Sequence, residues 1–129
     1  MQVIYCRNHH PLSFLIRAFT WSRWSHCGVV IGQDVIHATA KHGVIRQSLA
    51  EVQRQYPSHE MRFMPGDART ALQYLGAGYD WGGVFGVRWG LWNQPDKWFC
   101  SELVAQCSGL FNNSRISRVT PEHCYMVSQ

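Results

Sequence analysis

Three residues of this chain have the types and the predicted placements, a helix start and two neighbouring strands, that thiol acyl-transfer chemistry needs: His26, His37 and Cys100. In such chemistry a thiolate attacks a carbonyl carbon and an imidazole takes and returns the proton. A second polar group fixes the tautomer and orientation of that imidazole. Cys100 stands at the start of Phe99 to Leu110, where Leu103, Val104, Cys107 and Leu110 recur at helical spacing and Gly109 supplies a C-terminal stop. At a helix start, unpaired backbone N–H groups and the positive end of the dipole both favour thiolate over thiol. Cys107, deeper in the same helix and among apolar residues, reads instead as a small core side chain, as do Cys6, Cys27 and Cys124. Glu102, in the first helical turn, reads as a helix-stabilising carboxylate.

The two histidines fall on a predicted hairpin. Ser25 to Ile31 and Asp34 to Ala38 are strand-like runs separated by Gly32-Gln33, and glycine at the first central position signals a type II′ turn. That turn pairs Ile31 with Asp34, Val29 with Ile36, and Gly28 with His37. Period-two alternation then sets His26, Gly28, Val30, Val35, His37 and Thr39 on one face, and Val29, Ile31 and Ile36 on the opposite, core face. His26 and His37 become diagonal neighbours able to share a hydrogen bond. Zinc is the competing use of these residue types, but the local pairs are only His9-His10 and His26-Cys27. Adjacent strand residues point to opposite faces, which makes His26-Cys27 a poor chelate, so no metal or other cofactor is expected.

Other elements must hold these residues. Gln2 to Cys6 predicts a strand, and Pro11 to Trp21 a helix burying Leu12, Leu15, Ile16 and Phe19. A short helix is expected over Gln47 to Gln55, a strand over 59–65, and a helix to about Leu75 capped by Asp67. The Gly- and Trp-rich stretch after Tyr79 reads as a Gly-interrupted helix around Trp81 to Val87, then an aromatic loop ending at Pro95. Thr120-Pro121-Glu122 is a helix start or turn. With 129 residues, 46% of them hydrophobic and 16% charged, the chain is expected to form one domain over 1–129.

The net charge of +4 and pI near 9.0 suit an acidic partner, but the basic residues form no stripe of the kind that binds nucleic acid. Five cysteines at irregular spacing fit neither a disulfide framework nor a zinc ribbon. The first ten residues lack the apolar core of a signal peptide, and no run approaches the roughly twenty apolar residues of a spanning helix. The expectation is cytoplasmic synthesis with mostly free thiols and no transmembrane segment.

Taken together, WSHCGVVIGQDVIHAT, YDWGGVFG and WFCSELVAQ resemble the circularly permuted branch of the NlpC-type papain-like superfamily, which includes YiiX/YebB-like proteins and, more distantly, lecithin:retinol acyltransferase. RVTPEHCY is similar to that family's closing Ser/Thr-Pro turn. The resemblance implies an α+β, permuted papain-like fold, an antiparallel sheet packed against helices with the nucleophile at a helix N-terminus. It implies that Cys100 is the nucleophile, His26 the base and His37 the orienting residue. Many YiiX-like members carry an acid where this chain has His37, whereas a Cys-His-His set is used by ordinary NlpC-type enzymes.

The implied activity is hydrolysis of an amide or peptide bond, foremost in peptidoglycan, by a phage-encoded and virion-associated product. Two rivals stand beside it. One is a lipid acyltransferase or thioesterase using the Trp-rich stretch as an acyl-binding wall. The other is a non-catalytic phage tail or assembly protein that keeps the fold and meets other phage structural proteins through its aromatic loop.

Overall fold

Strand β1 (Gln2–Arg7) is buried from Val3 to Cys6 and becomes the inner strand around which the sheet is built. Helix α1 (Pro11–Thr20) carries the chain to β2 (His26–Ile31), β3 (Asp34–Thr39) and β4 (Gly43–Ser48). Helix α2 (Leu49–Gln55) and β5 (Ser58–Phe63) follow, then a 3-10 helix (Ala68–Tyr74) and two-residue strands β6 (Gly78–Tyr79) and β7 (Lys97–Trp98). Helices α3 (Cys100–Ser108) and α4 (Pro121–Met126) come last. This computed structural model describes residues 1–79, 97–111, 116 and 119–129. The expected helix over Trp81 to Val87 and the aromatic loop to Pro95 lie outside the described residues.

The strands β4-β3-β2-β1-β5 form one antiparallel sheet, and β6 pairs with β7 in parallel. The architecture is therefore α+β. The hairpin takes the expected register, with Val29 opposite Ile36 and Ile31 opposite Asp34. Gly32 has φ +59, while Gln33 stays out of positive φ, the combination that separates type II′ from type I′.

Both faces of the sheet are covered. Val3, Tyr5, Cys27, Val29 and Ile36 pack against Leu103 and Val104 of α3 and Tyr125 of α4. On the other face Ile4, Cys6, Val30 and Val35 lie beneath Val52 of α2, forming a second, smaller apolar cluster. The histidine face is thus also interior, and the single core face expected from alternation accounts for only one of two apolar layers.

Three local expectations are corrected. Gly43–Ser48 is a strand paired along the whole of β3, and the helix starts at Leu49, with Ser48 Oγ accepting from Glu51 N at 3.3 Å. Asp67 caps as expected, accepting from Arg69 N at 2.9 Å, but the helix it starts is 3-10. Helix α1 departs furthest: its buried residues are Ser13, Ile16 and Thr20, while Leu15 and Phe19 are exposed. Periodicity fixes that a segment is helical and leaves open which side meets the protein. Here the inner side is held by hydroxyls, Ser13 Oγ donating to Ser25 Oγ (2.6 Å) and Ser25 Oγ to Cys6 O (3.3 Å).

Candidate active site

His26 and His37 meet in the sheet. His26 Nε2 lies 2.7 Å from His37 Nδ1, and both rings are buried, 8% and 1% exposed. Gly28 makes the approach sterically feasible. A Cβ there would fall 2.6 Å from Val35 Cγ1 and 2.9 Å from His37 Cβ, both closer than real contacts allow. Tyr56, the C-cap of α2, stacks flat on His26 with centroids 5.3 Å apart and planes 11° from parallel, which fixes the ring from its other side.

The proton pattern follows from β4. Gln47 Oε1 lies 3.1 Å from His37 Nε2 and accepts its hydrogen, so the lone pair of His37 is on Nδ1. That lone pair accepts from His26 Nε2–H, and His26 Nδ1 is left as the basic nitrogen. Burial, then the charge of His26, lowers the His37 pKa from 6.5 to about 3, with Gln47 opposing them. His37 therefore stays neutral and acts as an acceptor.

Cys100 is the first residue of α3, after Phe99 in extended backbone conformation, and Phe99 N donates to Glu102 Oε2 at 2.8 Å. Glu102 thus takes the helix-capping role read for it in the sequence. The α3 helix packs on β2 with the Cys100 thiol in reach of two side chains, His26 and Cys27. Burial pushes this thiol up. Hydrogen bonds from the side chains of Cys27 and His26, the charge of His26 and the Cys27 backbone outweigh that, and the thiol ends well below its ordinary range. Cys27 moves the opposite way, raised by burial and by Cys100, so it keeps its hydrogen and donates it.

The structure brings together all three residues singled out in the sequence. Three more belong to the same cluster: Cys27, Gln47 and Tyr56. Gln47 had a signal, since a β3–β4 hairpin opposes Val35 to Gln47 and sets it diagonal to His37 on the same face. Cys27 had none, because alternation points it away from His26. Both can touch Cys100 because α3 begins against the start of β2.

A cavity of about 240 Å³ opens on His26, lined also by Asn8, Leu12, Ser25, Tyr56 and Tyr79. The other cysteines are free, buried and pushed up by burial, Cys107 to about 12 with Asp67 adding to the shift. Among the described residues no group of three or more His, Cys, Asp or Glu is placed to hold a metal ion, and no helix is long and apolar enough to cross a membrane. No family model and no curated protein matches this chain.

Proposed function

We propose that this protein is a cysteine hydrolase of permuted papain-like architecture, cleaving an amide or ester bond with Cys100 as nucleophile, His26 as base and His37 as the residue that orients His26. One observation carries the reading: a line of groups running from half-buried Gln47 to buried His37 and His26 ends at a thiol drawn well below its ordinary range at the start of a helix. A structural core needs no such line, because burying two imidazoles and a thiol without purpose costs more than burying apolar side chains.

In the proposed reaction the Cys100 thiolate attacks the carbonyl carbon, and the negative charge on the carbonyl oxygen falls near the Cys100 backbone N–H. His26, protonated, gives its hydrogen to the leaving nitrogen or oxygen as the C–N or C–O bond breaks. Neutral His26 then takes a proton from water. The resulting hydroxide attacks the thioester, the carboxylic acid departs, and the Cys100 thiolate is restored. The substrate favoured by the sequence resemblance is a peptide bond in peptidoglycan. A second reading, acyl transfer or thioester cleavage on a lipid, is favoured by α1, which exposes Phe14 and Leu15 on its outward face while its inner residues Leu12 and Ile16 line the His26 cavity.

The test is the pH dependence of Cys100 alkylation by iodoacetamide, followed by peptide mass spectrometry with Cys107 as internal control. Cys100 is expected to react well below pH 8, and His26→Ala to remove that advantage. Alkylation of Cys100 with an ordinary thiol profile would overturn the reading and return the fold to a structural role. Cell-wall fragments and lipid esters, offered to wild type and to Cys100→Ala, then separate the two substrate classes.

A further inference from the structure

Helix α1 packs Ile16 and part of Leu12 on the core and turns the rest of its apolar surface outward. Pro11, Phe14, Leu15 and Ala18, at spacings of three and four, all face outward. Phe14 is 63% exposed and Leu15 47%, and Trp21, which ends the helix in a left-handed conformation, is 87% exposed. Two of its three buried residues, Ser13 and Thr20, are hydroxyl-bearing. Scattered exposed apolar residues need no explanation, but a contiguous outward helix face of this kind marks an interaction surface.

A second observation lies alongside and is independent of the first. A cavity of about 420 Å³ is lined by Arg7, Asn8, His9, Arg17 and Ser58, with Pro57, and no carboxylate lines it. Arg7 donates through Nε to Ser58 Oγ at 3.0 Å. Arg17 Nε is buried and has no hydrogen-bond partner, a donor that costs free energy until something accepts from it. Among the described residues the ion pairs use Arg23, Arg46 and Arg62, and neither Arg7 nor Arg17. The cavity and the apolar face join at α1 itself, where the Arg17 guanidinium lies 5.9 Å from the Phe14 ring centroid.

We propose that the outward face of α1 and the Arg7–Arg17 cavity together dock this protein on an anionic phospholipid surface, with a lipid phosphate seated in the cavity and Phe14, Leu15 and Trp21 entering the acyl boundary. Guanidinium groups suit phosphate oxygens, and an apolar helix face beside cationic side chains is the pattern that lies in a membrane interface. Tryptophan at the rim is the residue type enriched at that depth. A second copy of the chain is disfavoured by charge, since a two-fold contact through this face would bring the uncompensated arginines together. Residues Leu12, Ser13 and Ile16 of the same helix line the His26 cavity. On the proposed activity, which this last step alone rests on, docking holds that cavity about one helix diameter, on the order of 10 Å, from the lipid and selects membrane-borne substrates.

The experiment is co-sedimentation of the full chain with vesicles of phosphatidylcholine alone and of phosphatidylcholine mixed with phosphatidylglycerol. Wild type is expected to partition onto the mixed vesicles. The double variant Arg7→Gln, Arg17→Gln is expected to weaken that partition about thirtyfold, and Phe14→Ser with Trp21→Ser about tenfold. Thermal unfolding of each variant shows that it is folded, and smaller substitutions, Phe14→Ala with Trp21→Ala, replace any that is not. Absence of wild-type partition, or equal partition by all variants, would overturn the proposal. So would a dimer in solution that Trp21→Ser dissolves, which assigns the face to a second copy. Inorganic phosphate shifting the Arg7 and Arg17 side-chain resonances without vesicle binding assigns the cavity to a soluble anion and likewise overturns it. Cys100→Ala is expected to bind vesicles like wild type, so an inert Cys100 and a failed docking surface are separate results.

Discussion

Helix α3 carries two buried cysteines, Cys100 and Cys107, only 1% and 4% exposed, and their surroundings pull them in opposite directions. Cys107 has burial and the charge of Asp67 against ionisation and is pushed up to about 12. Cys100 meets the same penalty, but Cys27, His26 and the strand backbone more than cancel it. The comparison separates two notions that are often merged. Depth alone makes a thiol inert, and what makes one reactive is the set of donors and charge brought against it.

The strongest way to break the contrast is His26→Ala. At pH 6, Cys100 alkylation relative to Cys107 is expected to fall about a hundredfold, because the thiolate loses its cationic neighbour. Mass spectrometry of the two peptides reads the ratio directly, and an unchanged ratio would mean that His26 does not act on Cys100. Gly28→Ala attacks the same contrast through sterics. Its methyl group forces Val35 and His37 apart, and a stability loss of about 2 kcal/mol is expected in urea, together with a smaller Cys100 advantage.

Acid sharpens the comparison from the other side. The folded His37 is held near 3 while the unfolded chain takes up its proton below 6.5, so its contribution is intact above 6.5 and is lost as pH falls. Between those values stability should drop by about 1.4 kcal/mol per pH unit from this group alone, and His37→Asn should flatten the slope. Gln47→Leu removes the acceptor that fixes the His37 tautomer. A rate loss of about tenfold at Cys100 is expected, with Gln47→Glu retaining more of the rate because it still accepts. Cys107→Ala marks the quiet end: about 1 kcal/mol of stability and no change in the Cys100 profile.

Much of this site was legible in the sequence, and the parts that were not have physical reasons. Gly32-Gln33 set the hairpin, its register set His26 diagonal to His37, and the apolar spacing after Phe99 set Cys100 at a helix start. Strand β4 escaped because Gly43–Ser48 carries polar residues at positions covered only in part, and with it went Gln47. Cys27 escaped because alternation describes a strand's middle, whereas α3 docks where β2 begins. In α1 the spacing was right and so was half of the expected face, since Ile16 and, in part, Leu12 meet the core while Leu15 and Phe19 turn outward, the inner side being shared with Ser13 through its hydroxyl contact to Ser25.

The order of the parts along the chain has a consequence for synthesis. All five strands of the main sheet lie within the first 63 residues, and α3 docks on them from residue 100 onward. A nascent chain can therefore pair its strands and bring Gln47, His37 and His26 together before the cysteine that completes the line has left the ribosome. The thiol meets its base last, through a contact spanning more than half of the chain, and a truncated or stalled product holds the imidazoles without the sulfur.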